Sequence, residues 1–333
     1  MATYYDINGQ KVQNLASDPS PVQEGQVWYN TTSNTAKVRG LSTSATWASG
    51  ASTPVATNQA AGAGTYLAGI MFGGNAPGLS NQSLTYNGSA WTSTPTLNTA
   101  RGGIAGANRG TENSTLAFQG NTDNGPTYAS NVSEEWNGST WTAVNTLNTP
   151  STLAGGTGIV TAALCVGAEL AGPAFGDSNR TEEYDGTCWA TQTNRPAAIR
   201  NHSLFGPQND AISCMGVPGA NTTAQEWSGT AWAAGGVNNT QRSGANDGTG
   251  SGTGGIVAGG ATPPNAVTGA TELYNGTTWT SSPASLSTAR YDIATFGTDI
   301  NAVSATGRTP TALTTVEEWT GVGAAETRTI TTS

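Results

Sequence analysis

Apolar positions along this chain come in short runs, and most of those runs stop at a glycine. Ile70-Met71-Phe72-Gly73-Gly74, Leu116-Ala117-Phe118-Gln119-Gly120, Leu164-Cys165-Val166-Gly167, Ser213-Cys214-Met215-Gly216 and Ile256-Val257-Ala258-Gly259-Gly260 share this form, with Ala302-Val303-Ser304-Ala305 a weaker copy. Downstream of each run, two aromatics bracket a polar turn. The copies are Tyr86-Asn87-Gly88-Ser89-Ala90-Trp91, Trp136-Asn137-Gly138-Ser139-Thr140-Trp141, Tyr184-Asp185-Gly186-Thr187-Cys188-Trp189, Trp227-Ser228-Gly229-Thr230-Ala231-Trp232 and Tyr274-Asn275-Gly276-Thr277-Thr278-Trp279, with a truncated Trp319-Thr320-Gly321. The leading aromatics stand at 86, 136, 184, 227, 274 and 319, a recurrence of about 47 residues. A period of that length marks a repeat architecture. Apolar runs this short, bounded by turn signals, predict strands.

Each aromatic pair predicts a β-hairpin. Asn-Gly or Asp-Gly supplies two residues that accept positive φ, as twist-matching two-residue turns require, and the flanking aromatics pack across the strand pair. Glu134, Glu182, Glu272 and Glu317 stand two residues before the leading aromatic in four of the six copies. A third block opens the unit, clearest in Leu97-Asn98-Thr99-Ala100-Arg101 and Leu286-Ser287-Thr288-Ala289-Arg290, and small residues follow it, as in Gly102-Gly103-Ile104-Ala105-Gly106-Ala107. The unit therefore has four strands: small-residue, apolar, aromatic and Trp-bearing. One such sheet cannot bury both faces, whereas a closed ring of sheets can, and this is the blade of a β-propeller. Small residues belong near the axis and aromatics between adjacent sheets. Trp91, Trp141, Trp189, Trp232 and Trp279 are expected at equivalent places, one per blade.

The order of Arg after a Thr-Ala step, a Gly-Gly ending, Glu-x-Tyr/Trp and then Trp resembles kelch repeats over residues 48–333. The aromatic-to-Trp hairpin is shorter than the kelch pattern, and several units lack one glycine of the pair. The expected fold is all-β: a six-bladed kelch-like β-propeller over 48–333, with a short N-terminal β-hairpin extension over 1–47. That extension holds both lysines, Lys11 and Lys37. Its phrase Gly25-Gln26-Val27-Trp28-Tyr29-Asn30-Thr31-Thr32 resembles the opening stretches of tail-fibre and other virion proteins of tailed bacteriophages. The Trp-, Asn-, Gly- and Thr-rich repeats are similar to structural proteins of phages of marine cyanobacteria. The resemblance implies a virion protein made in the host cytoplasm, present in many copies or as a homo-oligomer, with other virion proteins and host surface carbohydrate as partners. A hairpin this short is marginal alone, so Val27, Trp28, Tyr29 and Val38 are expected to face another chain. The alternative makes the segment part of a blade. It would then supply strands to a seventh, incomplete blade, with Trp47 in the place of the Trp strand, or lend one strand to the last repeat, where no Trp follows Trp319. Glu326-Thr327-Arg328-Thr329-Ile330 is the local candidate for that last strand.

Composition sharpens this picture. Forty-five glycines and 10% charged residues would suit disorder, but ten Trp and nine Tyr bring large buried area. A net charge of −9 with no basic run opposes binding to nucleic acid or anionic membranes. No apolar stretch reaches membrane-spanning length, and Met1-Ala2-Thr3-Tyr4-Tyr5-Asp6 lacks the basic and apolar regions of a signal peptide. Cys165, Cys188 and Cys214 form no CxxC pair. Cys165 and Cys214 fall at matching repeat positions, as small buried strand residues would.

Chemistry is sparse. The single histidine, His202, excludes any site needing two, and no Gly-x-Ser-x-Gly elbow accompanies it. Arg101, Arg200, Arg242 and Arg290 recur near the starts of units. Their repetition favours bonds to local carbonyls or the recurrent glutamate over convergence on a ligand. The Glu134-Glu135, Glu182-Glu183 and Glu317-Glu318 pairs cannot converge on one bond, because neighbours on a strand face opposite ways. Asp123-Asn124-Gly125 lacks an EF-hand ladder, and the glycine-rich run at 248–255 lacks the Lys-Ser/Thr of a phosphate loop. The reading is a non-enzymatic binding protein with no catalytic, cofactor or metal residues. Its rivals are a carbohydrate-active enzyme with an acidic pocket on the propeller axis, and a kelch-type adaptor.

Overall fold

The computed structural model describes residues 12–20, 22–75, 77–123, 128–171, 176–218, 223–244 and 248–330. They fall into two compact units, Thr46–Trp319 and a smaller one made of the N-terminal 45 residues with the stretch from Thr320 onward. The division expected at 47/48 thus lies two residues earlier, and the C-terminal end goes with the N-terminal segment.

In the larger unit the described residues build six antiparallel sheets of four strands, two of them merged into one nine-stranded sheet by the short strand Ser151–Thr152. The first sheet runs Ala61–Thr65, Ala68–Phe72, Ser83–Tyr86, Trp91–Thr94 from inside outward. The innermost strands, Ala61–Thr65, Ala105–Gly106, Gly155–Ile159, Ser203–Phe205, Thr249–Ser251 and Ala294–Gly297, neighbour one another in that order, and the last lies beside the first. This cyclic arrangement is a β-propeller. Close packing makes it possible: Phe296 of the sixth sheet lies so near the first that a Cβ on Gly69 would sit 2.1 Å from its ring. Phe205 meets Gly255 in the same way, at 2.2 Å.

The sixth sheet departs from the others. Ala294–Gly297, Asn301–Ala305 and Val316–Thr320 are completed by Thr46–Ser49 from the other end of the chain. Trp47 packs on Trp319 with ring centroids 5.2 Å apart, as Trp141 packs on Trp136 at 5.4 Å. The stretch after Trp319 does not form this outer strand. Ala325–Thr329 pairs instead with Thr35–Leu41 in the smaller unit. The truncated sixth turn offers no second Trp, and Trp47 takes that role.

Trp91, Trp141, Trp189, Trp232 and Trp279 each open an outer strand and pair directly with the leading aromatic of their own hairpin. The turns between them differ from the two-residue form expected. Four residues intervene, and positive φ falls on the glycine alone, as at Gly88 (84°) and Gly138 (89°). The preceding Asn acts through its side chain: Asn87 Oδ1 accepts from the N–H groups of Ser89 and Ala90, and Asn137, Asp185 and Asn275 repeat the pattern. This is an Asx turn.

The glycine that ends each apolar strand reflects a stronger rule. Six successive pairs of residues have positive φ: 73/74, 119/120, 167/168, 215/216, 259/260 and 306/307. Only two of those pairs are Gly-Gly. Gln119, Ala168, Met215 and Thr306 adopt the left-handed region without glycine, against a steric cost of about 1–2 kcal/mol each. Neighbours hold two of them: Met215 Sδ accepts from Arg242 Nε at 3.2 Å, and the Gln119 side chain lies between the Gly103 carbonyl and Ser151 Oγ.

Adjacent sheets are also tied by the outer-strand indoles. Trp141 Nε1 donates to Ser83 Oγ, Trp189 to Ser133, Trp232 to Thr181 and Trp47 to Thr271, at 2.9–3.0 Å. The acceptor always stands three residues before the leading aromatic of the preceding sheet. Where that residue is Val316, Trp91 turns to the Ala51 carbonyl. Where it is Ala224, the indole of Trp279 has no partner among the described residues.

Two stability predictions follow from these ties. Trp47→Ala should destabilise the propeller as a core truncation does, by about 3–5 kcal/mol, although position 47 lies outside every repeat. Ala224→Ser should stabilise it by about 1 kcal/mol, by giving the buried Trp279 indole an acceptor. Urea unfolding of each variant measures both, and a neutral Trp47→Ala would remove the strand from the sheet.

Candidate functional site

The ionisable side chains that recur along the chain are drawn into the walls. Arg101 Nη2 meets Glu134 Oε1 at 2.9 Å with both side chains fully buried. Arg101 Nη1 also donates to the carbonyls of Gln119 and Val132, while Glu134 accepts from the Asn98 and Thr99 N–H groups and the Asn98 amide. Arg242–Glu272, at 3.4 Å, and Arg290–Glu317 repeat the arrangement. In the third sheet Ser151 stands where the arginine would be, and Arg180, two residues before Glu182, supplies the guanidinium at 3.1 Å. Arg200 does not belong to this set. Ile199 occupies the equivalent place, and Arg200 is a partly exposed partner of Asp177 and Glu169.

The first and fourth sheets lack the whole device. Leu84 and Gln225 stand at the glutamate position, Thr57 and Ile199 at the arginine position. In both, a proline (Pro54, Pro196) replaces the residue whose N–H would bond the carboxylate. The device is present or absent as a unit, as expected where a lone buried charge costs more than the intact pair returns.

A glutamate directly before the leading aromatic bonds the next sheet in three places. Glu318 accepts from the Tyr86 hydroxyl, Glu226 from Tyr274 at 2.7 Å and Glu183 from Trp227 Nε1 at 3.0 Å. Adjacent glutamates thus point to opposite faces. His202 lies in the loop directly before the strand Ser203–Phe205 and is fully buried there, and burial, helped by Arg195, pushes its pKa down to about 3. Cys165 and Cys214 are buried, and burial raises both thiols. Asn124 and Gly125 of the Asp123-Asn124-Gly125 phrase lie outside the described residues, among which no group of three metal-binding side chains occurs.

The axis is filled at one level and rimmed at the other. Asn108 Nδ2 donates to the carbonyls of Leu204 and Gly248, and its Oδ1 accepts from Thr157. This sets an amide and a hydroxyl on the axis there, not carboxylates. At the opposite end the chain enters each inner strand through a left-handed residue: Gln59, Gly103, Leu153, Asn201, Gly244 and Asp292. Backbone bonds link them into a rim: Gln59 N–H to Asp292, Asp292 to Gly244, Gly244 to Asn201, Asn201 to Leu153 and Leu153 to Gly103. No such bond joins Gly103 to Gln59 among the described residues. Beside that gap a hollow of about 330 Å³ spans from Gln59 to Leu153, with Asn121, Asp123, Tyr128 and Glu169 in its wall. Sequence reasoning missed it, because these residues come from three different repeats and follow no motif.

The smaller unit is a four-stranded sheet, Gln13–Leu15, Val27–Asn30, Thr35–Leu41 and Ala325–Thr329. Its expected contact residues divide between the two faces. Trp28 is fully buried and donates to Asp18 Oδ1, which also takes Asn30 Nδ2 and Lys37 Nζ. Those bonds, from Lys37 first, hold the Asp18 carboxyl down at about 2. Val27 pairs with Val38 and, with Tyr29, lies on the other face, where Val27 remains 37% exposed.

Removing part of the buried device should cost more than removing all of it. Arg101→Ile alone should destabilise by about 3–5 kcal/mol. The triple change Asn98→Pro, Arg101→Ile, Glu134→Leu, which copies the first and fourth sheets, should return most of that loss in denaturant unfolding. Glu317 titrates below its ordinary range: burial works against ionisation, but the Ser287 N–H and Arg290 outweigh it. Its share of stability should therefore be complete above about pH 4.5 and fade as acid protonates it, a slope that Arg290→Met should flatten.

No family model matches the sequence, and no curated protein does. Among solved structures the chain is similar to that described as "Structure of YjhT", with a TM-score of 0.65 at 12% identity, over 84% of this chain and 99% of that one. At this identity the likeness concerns the fold alone, and YjhT is a kelch-type β-propeller. The chain shares that fold.

Proposed function

We propose that this chain is a non-catalytic virion protein of a tailed bacteriophage, of tail-fibre, adhesin or decoration type, that works by binding. In this reading the smaller unit joins it to another virion protein, and the propeller carries a contact surface for a host glycan or a neighbouring protein. The observation that carries it is the two-sided sheet built on the fibre-like Trp28-Tyr29-Asn30-Thr31-Thr32 phrase. One face is closed by the Asp18 bonds to Trp28, Asn30 and Lys37. The other presents Val27, Tyr29 and Val38, with Ile330 following beside Ala36 and 45% exposed. Trp28 leaves the set of contact residues, and Ile330 joins it.

The non-catalytic part of the reading is supported by where the ionisable groups lie. The recurrent arginines and glutamates bond each other and neighbouring sheets, and the histidine is neutral and enclosed at ordinary pH.

Deleting residues 1–40 tests the assembly role. The closing strand Thr46–Ser49 remains in that variant, so it should unfold cooperatively while failing to join particles, as judged by immunoblots of purified virions. Loss of cooperative folding would make the segment a propeller component. Normal incorporation would place the assembly contact elsewhere on the chain.

A further inference from the structure

The hollow beside the rim gap differs from the rest of the larger unit in how its polar groups are used. Elsewhere the recurrent carboxylates are buried within the sheet walls, but here Asp123 is exposed and Glu169 half-buried in the wall of one cavity, reaching solvent while keeping contacts of their own. The wall is mixed. Gln59 and Asn121 bring amides, Tyr128 a hydroxyl and a ring, Thr152 a hydroxyl, and Leu153 an apolar patch.

Several contacts fix these groups in place. Asn75 Nδ2 donates to Gln59 Oε1 at 2.6 Å, which orients that amide. Tyr128 and Glu169 share a hydrogen bond, and Arg200 stands 3.9 Å from Glu169 while also pairing with Asp177. A Cβ on Gly103 would sit 2.6 Å from Thr152 Oγ1 and 2.8 Å from the Leu153 side chain, so glycine there leaves those two wall residues in place. Its volume, about 330 Å³, is at the lower end of small-ligand sites.

The chemistry selects the ligand. Two carboxylates, with the nearest arginine already paired to Asp177, disfavour an anion. A bare cation would use oxygens alone and leave the amide N–H groups, the Tyr128 ring and Leu153 without a partner, and no group of three metal-binding side chains occurs among the described residues. A neutral sugar ring suits all of them: carboxylates accept from adjacent hydroxyls, amides donate and accept, and an aromatic or aliphatic face packs on C–H groups.

We propose that this hollow binds one neutral pyranose, the end of a surface glycan, with Asp123 and Glu169 as the main hydroxyl acceptors. The proposal rests on the binding role given above and assigns it a site and a ligand class. The complete chain is titrated calorimetrically with methyl glycosides of glucose, galactose, mannose and N-acetylglucosamine, and with sialic acid as the anionic comparison. At least one neutral glycoside should bind, and Asp123→Ala and Glu169→Ala should each weaken it about tenfold or more, the loss expected for hydrogen bonds to charged groups. Asn265→Ala, in a separate hollow lined by Val217, Ser243 and Pro264, should leave binding unchanged. All three variants should keep the parent unfolding midpoint.

Absence of saturable binding by every neutral glycoside overturns the site, as does binding indifferent to both carboxylate changes or preference for sialic acid. None of these touches particle incorporation, so a failed site with normal incorporation leaves the virion role standing. Sugar binding by a protein absent from particles removes the role and keeps the site.

Discussion

The propeller depends on the delivery of one strand, Thr46–Ser49, to a sheet whose other three strands lie at the far end of the chain. Until it arrives, the sixth sheet has an unfilled edge and Trp319 lacks its ring partner. The Trp47 indole meanwhile lacks Thr271, 224 residues away. Chain entropy permits the arrangement, because closure cost grows only with the logarithm of loop length. Extending a loop from a dozen residues to a few hundred adds about 2.5 kcal/mol. Closure then lets every sheet bury both faces, from the Phe296 edge on Gly69 to the Trp141 indole on Ser83.

Within the ring, the Arg–Glu device shows how a repeat tolerates change. Its parts come from three places, the N–H of a turn residue, the guanidinium and the strand carboxylate, and sheets that lack one part lack all. The third sheet is the informative case. It kept Glu182 and Asn148 without the turn arginine, and Arg180 provides the charge from the strand itself. Electrostatic need, not sequence position, decides which arginine is used.

The period, the strand content and the equivalence of the tryptophans were legible because aromatic residues mark buried, regularly spaced places. The opposed directions of Glu182 and Glu183 were legible for the same reason, since strand alternation fixes them. Three other features were not. Left-handed backbone at Gln119, Met215 and Thr306 is invisible where glycine is absent, and tertiary contacts hold it. Arg200 was taken for a repeat residue because it sits one position from Ile199, and only the backbone bonding shows which of the two is equivalent to Arg101. The hollow near Gly103 gathers Gln59, Asp123 and Glu169 from separate units, and no local pattern announces a site assembled that way.

The four indole-to-hydroxyl bonds between sheets have one direction, each donated backward to the preceding sheet. A repeat is therefore compatible with its neighbours through a matched edge, a hydroxyl on one side and an indole on the other. Two seams lack that match: between the sixth and first sheets Val316 leaves Trp91 to the Ala51 carbonyl, and between the fourth and fifth Ala224 leaves the Trp279 indole without an acceptor among the described residues. An additional unit inserted between the fourth and fifth sheets would therefore break no indole bond.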